Sequence, residues 1–203
     1  MRTAPARPAT TADVIYTRRS VRSYTGHPID KPTIAALLDA AVQAPTAMHM
    51  EPWGFVVIQD PSLLRKYSER VKAAWLQEID AFERLHAPVA RRPDAALVTQ
   101  LKDPAFDVFY KAGTLIVICA KAPGDFVVAD CWLAAQNLML AATALGLGTC
   151  CIGSAVKVLN TPEVRAELGL HPATVAIAPI VVGEPAGEPA ASPRHDPVVL
   201  AWH

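Results

Sequence analysis

The sequence predicts a single globular domain that contains both helices and strands. Its 203 residues are enough to bury a substantial core, and 52% of them are hydrophobic, which argues against a disordered chain. Amphipathic helical patterns alternate with short runs of β-prone residues along most of the chain. Because 19 basic residues balance 19 acidic ones, the chain lacks the positive charge that is typical of nucleic-acid-binding proteins.

The N-terminus predicts a leader followed by a short helix. Residues 1–11 lack the apolar core of a signal peptide, so we expect a disordered leader before a domain that spans 12–203. A helix over 14–16 is then capped by Thr10 or Thr11. No signal peptide is recognised, which favours a cytoplasmic location.

A basic stretch after this helix is the first candidate binding element. Arg18, Arg19, Ser20 and Arg22 place three guanidinium groups and one hydroxyl within five residues. Guanidinium groups present planar forks of donors that suit phosphate oxygens. The stretch therefore predicts a binding site for a phosphorylated cofactor, although a solvated basic turn has the same composition.

Two helices and a strand are predicted in the next part of the chain. Helical spacing of apolar residues runs over 30–44, with Asp30 as the N-cap and Pro45 as the stop. The run Trp53–Ile58 predicts a strand, and a second amphipathic helix covers 62–79. The following stretch, 80–110, contains aromatics and several prolines, and it is either a mobile cover on the substrate side or an ordinary connection.

The most apolar segments lie in the middle of the chain. Thr114–Ala120 is almost continuously apolar, which predicts a central strand. A long apolar helix over 126–145 is expected to begin at an Asp125 cap and to end at Gly146. Polar residues within it favour a helix buried on all sides, inside the fold or at a subunit interface, over a membrane span.

The C-terminal third combines glycine-rich and apolar segments. The turn 148–154 allows close approach of a ligand to the backbone, but it matches no phosphate-loop motif. A short helix is predicted over 163–168, and a strand over 175–182 in which Pro179 indicates an irregularity or a sheet edge. We expect the tail, 183–203, to wrap across another surface.

Cysteine spacing gives no indication of a metal site. The four cysteines form no CxxC pair and have no histidine cluster near them in sequence. The neighbours Cys150 and Cys151 are expected to be reduced thiols rather than a strained disulfide, as in cytosolic proteins.

Four stretches taken together resemble the FMN-dependent nitroreductase family. They are RRSVRSY at 18–24, APTAMHMEPWGFVVI at 44–58, LGLGTCCIGS at 145–154 and VVGEPAGEPAASPR at 181–194. The resemblance implies an α+β fold in which a mixed, mostly antiparallel sheet is flanked by helices. It also implies an interlocked homodimer with FMN at the interface, where the long apolar helix and the tail pack against the second subunit.

The resemblance assigns roles to residues of the basic stretch. Arg18 and Ser20 match residues that contact the phosphate and the ribityl chain, and Arg19 matches a further side-chain or backbone contact. Arg22 matches the basic residue near flavin N1 and the C2 carbonyl. A guanidinium there would stabilise the negative charge of the reduced flavin.

Two later stretches and the tail complete the implied cofactor site. In the family, a loop of the second subunit covers the FMN, and the residues that match it are Pro45, Thr46, Ala47, His49 and Glu51. The strip that faces the flavin ring and N5 is matched by Cys151, Ile152, Gly153 and Ser154, with the Gly153 N–H donating to N5. Arg194 matches a tail arginine that grips the phosphate.

Departures from the family pattern affect the substrate more than the cofactor. Glu51 stands where an amide is usual, His49 where asparagine is common, and Cys151 where proline or an aromatic residue is frequent. The expected activity is ping-pong reduction of nitroaromatic or quinone-like acceptors by NADH or NADPH, through flavin N5 and without a catalytic side chain. The alternatives are a dehydrogenase or oxidase of the same fold for one metabolite, a flavin-storage protein, and an unrelated interaction protein.

Overall fold

The computed structural model describes residues 10–86 and 95–203, which form seven α-helices, two short 3₁₀ helices and four strands. The helices are α1 Thr11–Thr17, α2 Lys31–Ala41, α3 Pro61–His86, α4 Ala95–Lys102, α5 Val127–Ala144, α6 Val156–Leu159 and α7 Pro162–Glu167. The strands are β1 Trp53–Ile58, β2 Thr114–Ala120, β3 Gly148–Cys151 and β4 Val175–Gly183. Most of the expected leader and residues 87–94 of the expected cover lie outside the described residues.

The four strands form one sheet in the order β1-β2-β4-β3, and every neighbouring pair is antiparallel. Side chains of β2 alternate between the two faces of the sheet, and all seven residues are buried. Leu115, Val117 and Cys119 pack with α3 and α6, whereas Ile116, Ile118 and Ala120 pack with α2 and α5. The predicted central strand and the α+β fold are therefore confirmed.

Local hydrogen bonds explain where two of the predicted helices begin. The Thr10 hydroxyl accepts from the Asp13 N–H, and the Asp13 carboxylate accepts from the Thr10 N–H, so a capping box starts α1. The Asp30 carboxylate accepts from the Thr33 N–H at 2.7 Å and caps α2. Both predicted caps are confirmed, with Thr10 rather than Thr11 in the first.

One expectation for the later segments was wrong, and one of two alternatives was confirmed. Helix α5 begins at Val127 after Phe126, and no side chain caps it, so Asp125 is not its N-cap. Strand β4 lies inside the sheet, so Pro179 does not mark an edge; the irregularity it indicated is real, because the β2–β4 register shifts at Ile118 and Cys119.

Within one chain, helix α5 is buried on one side only, so its burial at a subunit interface stays a prediction. Its side toward the sheet is buried, but Val128, Trp132 and Leu133 are exposed on the opposite side. Within the described residues, α5 is the one helix long and apolar enough to cross a membrane, and 39% of that window is buried in the fold. Length and composition do not separate such a span from a core helix of this kind.

Candidate functional site

The basic stretch lies along the outer edge of β3. Ser20 forms a parallel bridge with Thr149, and the Val21 N–H donates to the Thr149 carbonyl at 2.9 Å. The stretch therefore adds a short parallel element to the antiparallel sheet. Because successive residues of an extended chain point in opposite directions, Arg18 and Arg22 share one side of it and Arg19 points to the other.

The two sides of the stretch border different cavities. Arg22 lines a cavity of about 410 Å³ together with the end of β3. Arg19 and Val21 line another cavity, on the side of the C-terminus of α5. The Arg19 guanidinium donates to the carbonyls of Tyr16 and Arg18, at 2.7 and 2.9 Å, and so closes the last turn of α1.

The cavity beside Arg22 has two walls of different origin. The strand wall consists of Arg22 and residues 150–154, which end β3 and begin a short 3₁₀ turn. The helix wall consists of α3 residues and of the segment that leads to β2. Its members are Ala74, Trp75, Glu78, Phe106, Val108 and Tyr110, and Lys157 of α6 lies at the same cavity.

The helix wall gives the cavity an aromatic side. The rings of Phe106 and Tyr110 meet edge to face with centroids 6.2 Å apart, and Trp75 of α3 lines the same space. Tyr110 and the next residue, Lys111, both have left-handed backbone angles, with φ of 55° and 60°. A flat ring that enters the cavity would meet aromatic and aliphatic surfaces on this side.

The strand wall presents a free backbone donor. The Ile152 N–H donates to the Pro179 carbonyl at 2.8 Å, but no described residue accepts from the Gly153 N–H. A Cβ added to Gly153 would meet nothing within 4 Å, so the space in front of this residue is open. The wall can therefore offer a hydrogen bond to a ligand atom at Gly153.

Both thiols of the strand wall are free and are held in the protonated form at neutral pH. Burial raises the pKa of Cys150, while the nearby charges of Arg22 and Arg18 lower it in part. Burial, and then the neighbouring Cys150, raises the pKa of Cys151 to about 11. The two residues form no disulfide in this structure, and neither thiol is poised as a nucleophile.

The loop between α2 and β1 lies apart from this cavity. The Ala47 N–H donates to both carboxylate oxygens of buried Asp130 at 3.3 Å, which ties the loop to α5. His49 and Glu51 are exposed, and 3.8 Å separates His49 Nε2 from Glu51 Oε1. Both residues have left-handed φ angles, as Met48 does. Such angles are strained for non-glycine residues and are typical of functional loops.

The structure therefore brings together only part of the predicted site. Within one chain it joins Arg22 to Cys151, Ile152, Gly153 and Ser154, and it sets Arg18 and Ser20 beside them. Pro45–Glu51 and Arg194, in the exposed tail, do not line this cavity in the described part of the chain. Sequence reasoning missed Trp75, Glu78 and Lys157, because helical periodicity alone does not separate a cavity wall from a core or surface face.

These features define an α+β protein with a cavity that joins a guanidinium group, an unpaired backbone N–H and an aromatic wall. No group of three metal-ligating side chains occurs within residues 10–86 and 95–203. The family model of the nitroreductase family matches residues 15–184, which is most of the chain. The chain belongs to the nitroreductase family.

Individual relatives agree with this assignment. The chain is 30% identical over 190 residues to a Methanothermobacter thermautotrophicus protein named "Putative NADH dehydrogenase/NAD(P)H nitroreductase", covering 91% of this chain and 82% of the relative. A Bacteroides fragilis nitroreductase solved with bound FMN is 26% identical, with a TM-score of 0.75 over 96% of this chain and 98% of that one. A BluB-like flavoprotein from Clostridium difficile shares the fold at 20% identity, with a TM-score of 0.76 over 93% of this chain and 95% of that one.

The residues at the cavity fit FMN. Its size, about 410 Å³, lies within the usual range for small-molecule sites. Arg18 and Arg22 offer charged donors on one side of the extended stretch, and Gly153 offers an unpaired N–H beside open space. The donors of the strand wall suit a flat ring that carries a phosphate and accumulates negative charge, and the aromatic helix wall leaves a surface on which a second flat ring can pack.

Proposed function

We propose that the chain is an FMN-dependent NAD(P)H oxidoreductase that reduces nitroaromatic or quinone-like acceptors. One observation carries this proposal: a single cavity combines Arg22, the unpaired Gly153 N–H and an aromatic wall. The nitroreductase fold and the FMN-bound relative support the same cofactor. Bound FMN would supply hydride transfer at N5, first from the nicotinamide and then to the acceptor.

The residues of the basic stretch hold the cofactor in this proposal. Arg18 and Ser20 bind the phosphate and the ribityl chain, with Arg19 fixing the backbone of the stretch through its bonds to the end of α1. Arg22 stabilises negative charge on the ring, and the Gly153 N–H donates to N5. No side chain of the cavity is assigned as a catalytic acid.

A homodimer completes the site in this proposal. Exposed apolar side chains on α5, such as Trp132, and in the tail, such as Leu200 and Trp202, form surfaces that a partner subunit would cover. The loop that holds Pro45, Thr46, Ala47, His49 and Glu51 would then lie over the partner's FMN. Arg194 would reach the phosphate when the tail is docked.

The decisive experiment is the visible spectrum of the purified protein, first in air and then without oxygen after addition of NADH or NADPH. A flavin spectrum that bleaches with one donor and returns with a nitroaromatic acceptor supports the proposal and names the donor. A bound flavin that stays oxidised points instead to a metabolite-specific oxidase or a storage protein. A protein that FMN cannot reconstitute contradicts the cofactor assignment.

The double variant Arg18→Ala/Ser20→Ala tests the cofactor grip. We expect it to lose FMN on gel filtration, because two phosphate and ribityl contacts are removed, with affinity falling by about 100-fold or more. Arg65→Ala, on the exposed side of α3, is the matched control and should keep the flavin. Full FMN occupancy in the folded double variant contradicts the assigned grip.

A further inference from the structure

Three charged side chains line the cavity, and two of them neutralise each other. Glu78 of α3 and Lys157 of α6 form an ion pair with 2.5 Å between Oε1 and Nζ. Arg22 has no ion-pair partner in the described part of the chain. The proposed function, on which this inference rests, uses the Arg22 charge for the reduced flavin. The remaining charge at the cavity then sums to zero.

We propose that the Glu78–Lys157 pair is the charge selector of this site, which makes uncharged aromatic rings its preferred acceptors. The helix wall offers Trp75, Phe106 and Tyr110 to the flat faces of such a ring. With Glu78 in place, the Lys157 ammonium is already paired, so it attracts an anionic substituent on the acceptor only weakly. A carboxylate on the acceptor loses its hydration on entry and finds no unpaired cation on the helix wall in exchange.

The pair is suited to selecting ligands rather than to holding the fold. The Glu78 and Lys157 side chains are 51% and 69% exposed, and exposed ion pairs contribute little to stability. Replacing either residue should therefore leave the protein folded. Inside the cavity, where solvent is partly displaced by a ligand, the same charges act on that ligand at higher effective strength.

The test compares two ligands of the same shape, 4-nitrobenzamide and 4-nitrobenzoate, on the FMN-loaded protein. Their dissociation constants are measured by calorimetry without NAD(P)H, so that no turnover occurs; the flavin is then oxidised, and the charge of Arg22 is the same in every variant compared. We expect Glu78→Gln to improve nitrobenzoate binding relative to nitrobenzamide by roughly three- to tenfold. Lys157→Gln should not show this gain, and the double variant should lose it.

Glu163→Gln, on the exposed surface of α7, removes one negative charge elsewhere and serves as the control. The inference is overturned if Glu78→Gln leaves the ratio of the two dissociation constants unchanged, or if Glu163→Gln changes that ratio equally. So does a wild type that binds neither compound, or a Glu78→Gln variant that gains affinity for NADPH alone.

Kinetics then separate this inference from the proposed function. With a saturating nicotinamide donor, the ratio of kcat/KM for the two nitro compounds should follow the ratio of their dissociation constants. A wild type that binds both rings but reduces neither contradicts the oxidoreductase assignment, and the binding ratios still decide the role of Glu78.

Discussion

The strand wall and the helix wall border the same cavity, but they are held in place by different parts of the chain. Backbone hydrogen bonds hold the strand wall: Val21 to Thr149 on one side, and Ile152 to Pro179 on the other. Side chains of α3 hold the segment of the helix wall that precedes β2. The strand wall therefore depends on backbone geometry, whereas the helix wall depends on a few particular side chains.

Lys72 is the main side-chain support of the helix wall. Its side chain is 6% exposed, and its ammonium donates to Glu69 Oε1 and to the carbonyls of Asp103 and Phe106, at 3.0, 2.9 and 3.1 Å. One turn earlier, the Ser68 hydroxyl accepts from the Val108 N–H at 3.1 Å. Two polar residues of α3 thus fix the backbone that carries the aromatic rings.

The largest expected effect comes from removing the Lys72 ammonium. Lys72→Met keeps the length of the side chain but leaves two carbonyls without their charged donor, so we expect a loss of about 2–3 kcal/mol in unfolding free energy. Urea unfolding measures it, and Lys102→Met, on exposed α4, is the control. The variant should keep FMN but bind acceptors more weakly. Equal stability of the two variants would contradict the assigned role.

We expect the stability of the strand wall to fall when a side chain is enlarged rather than when a polar group is removed. A Cβ on Gly148 would lie 2.7 Å from Val21 Cγ2, whereas a Cβ on Gly153 would meet nothing within 4 Å. Gly148→Ala therefore pushes the basic stretch away from β3, and we expect it to cost about 1–2 kcal/mol and to weaken FMN binding.

Gly153→Ala is the matched comparison. It should change the unfolding free energy by less than about 0.5 kcal/mol, as for a substitution that meets no neighbour. Urea unfolding and FMN titration of both variants provide the measurement. If Gly148→Ala retains the stability and FMN affinity of the wild type, the close approach of Val21 does not control the wall.

The same difference explains how much of the site was predictable. The strand wall could be predicted because its chemistry is local: the arginines at 18–22 and the glycine-rich turn at 148–154 are contiguous in sequence. The helix wall joins side chains from 74–78 with others from 106–110, and no local pattern pairs them. Lys72 lies on a polar helix whose sequence gives no sign that this lysine is buried.

The fold, like the site, could be predicted from the sequence only in part. Strands β1, β2 and β4 were predicted from their apolar runs, but β3 was read as a turn because it lies in a stretch with glycines at 146, 148 and 153. Its pairing with Val181 and Val182 of β4 comes from sequence-distant contacts. Likewise, whether α5 is covered on its outer side depends on surfaces beyond one chain, so a helical pattern could not decide it.

Ionisation of the buried thiols provides the smallest effect, since it does not alter the unfolding free energy at neutral pH. Burial, and then nearby Cys131, raises the pKa of Cys119 on β2 from 9.0 to about 11. The folded state therefore holds this proton more tightly than the unfolded state, and the stabilisation is complete below about pH 9. This stabilisation is lost as the pH rises to about 11, and the unfolding free energy falls by about 2 kcal/mol over this range.

Removing one thiol should flatten this alkaline decline. Cys119→Ala creates a small cavity and lowers stability at all pH values, but its unfolding free energy should fall less steeply between about pH 9 and 11. Cys151→Ala, at the cavity, should show a weaker change of slope, since its thiol is partly open to solvent. Urea unfolding across this pH range measures both slopes. A Cys151 slope change as large as that of Cys119 would mean that the strand wall excludes water as fully as the sheet interior does.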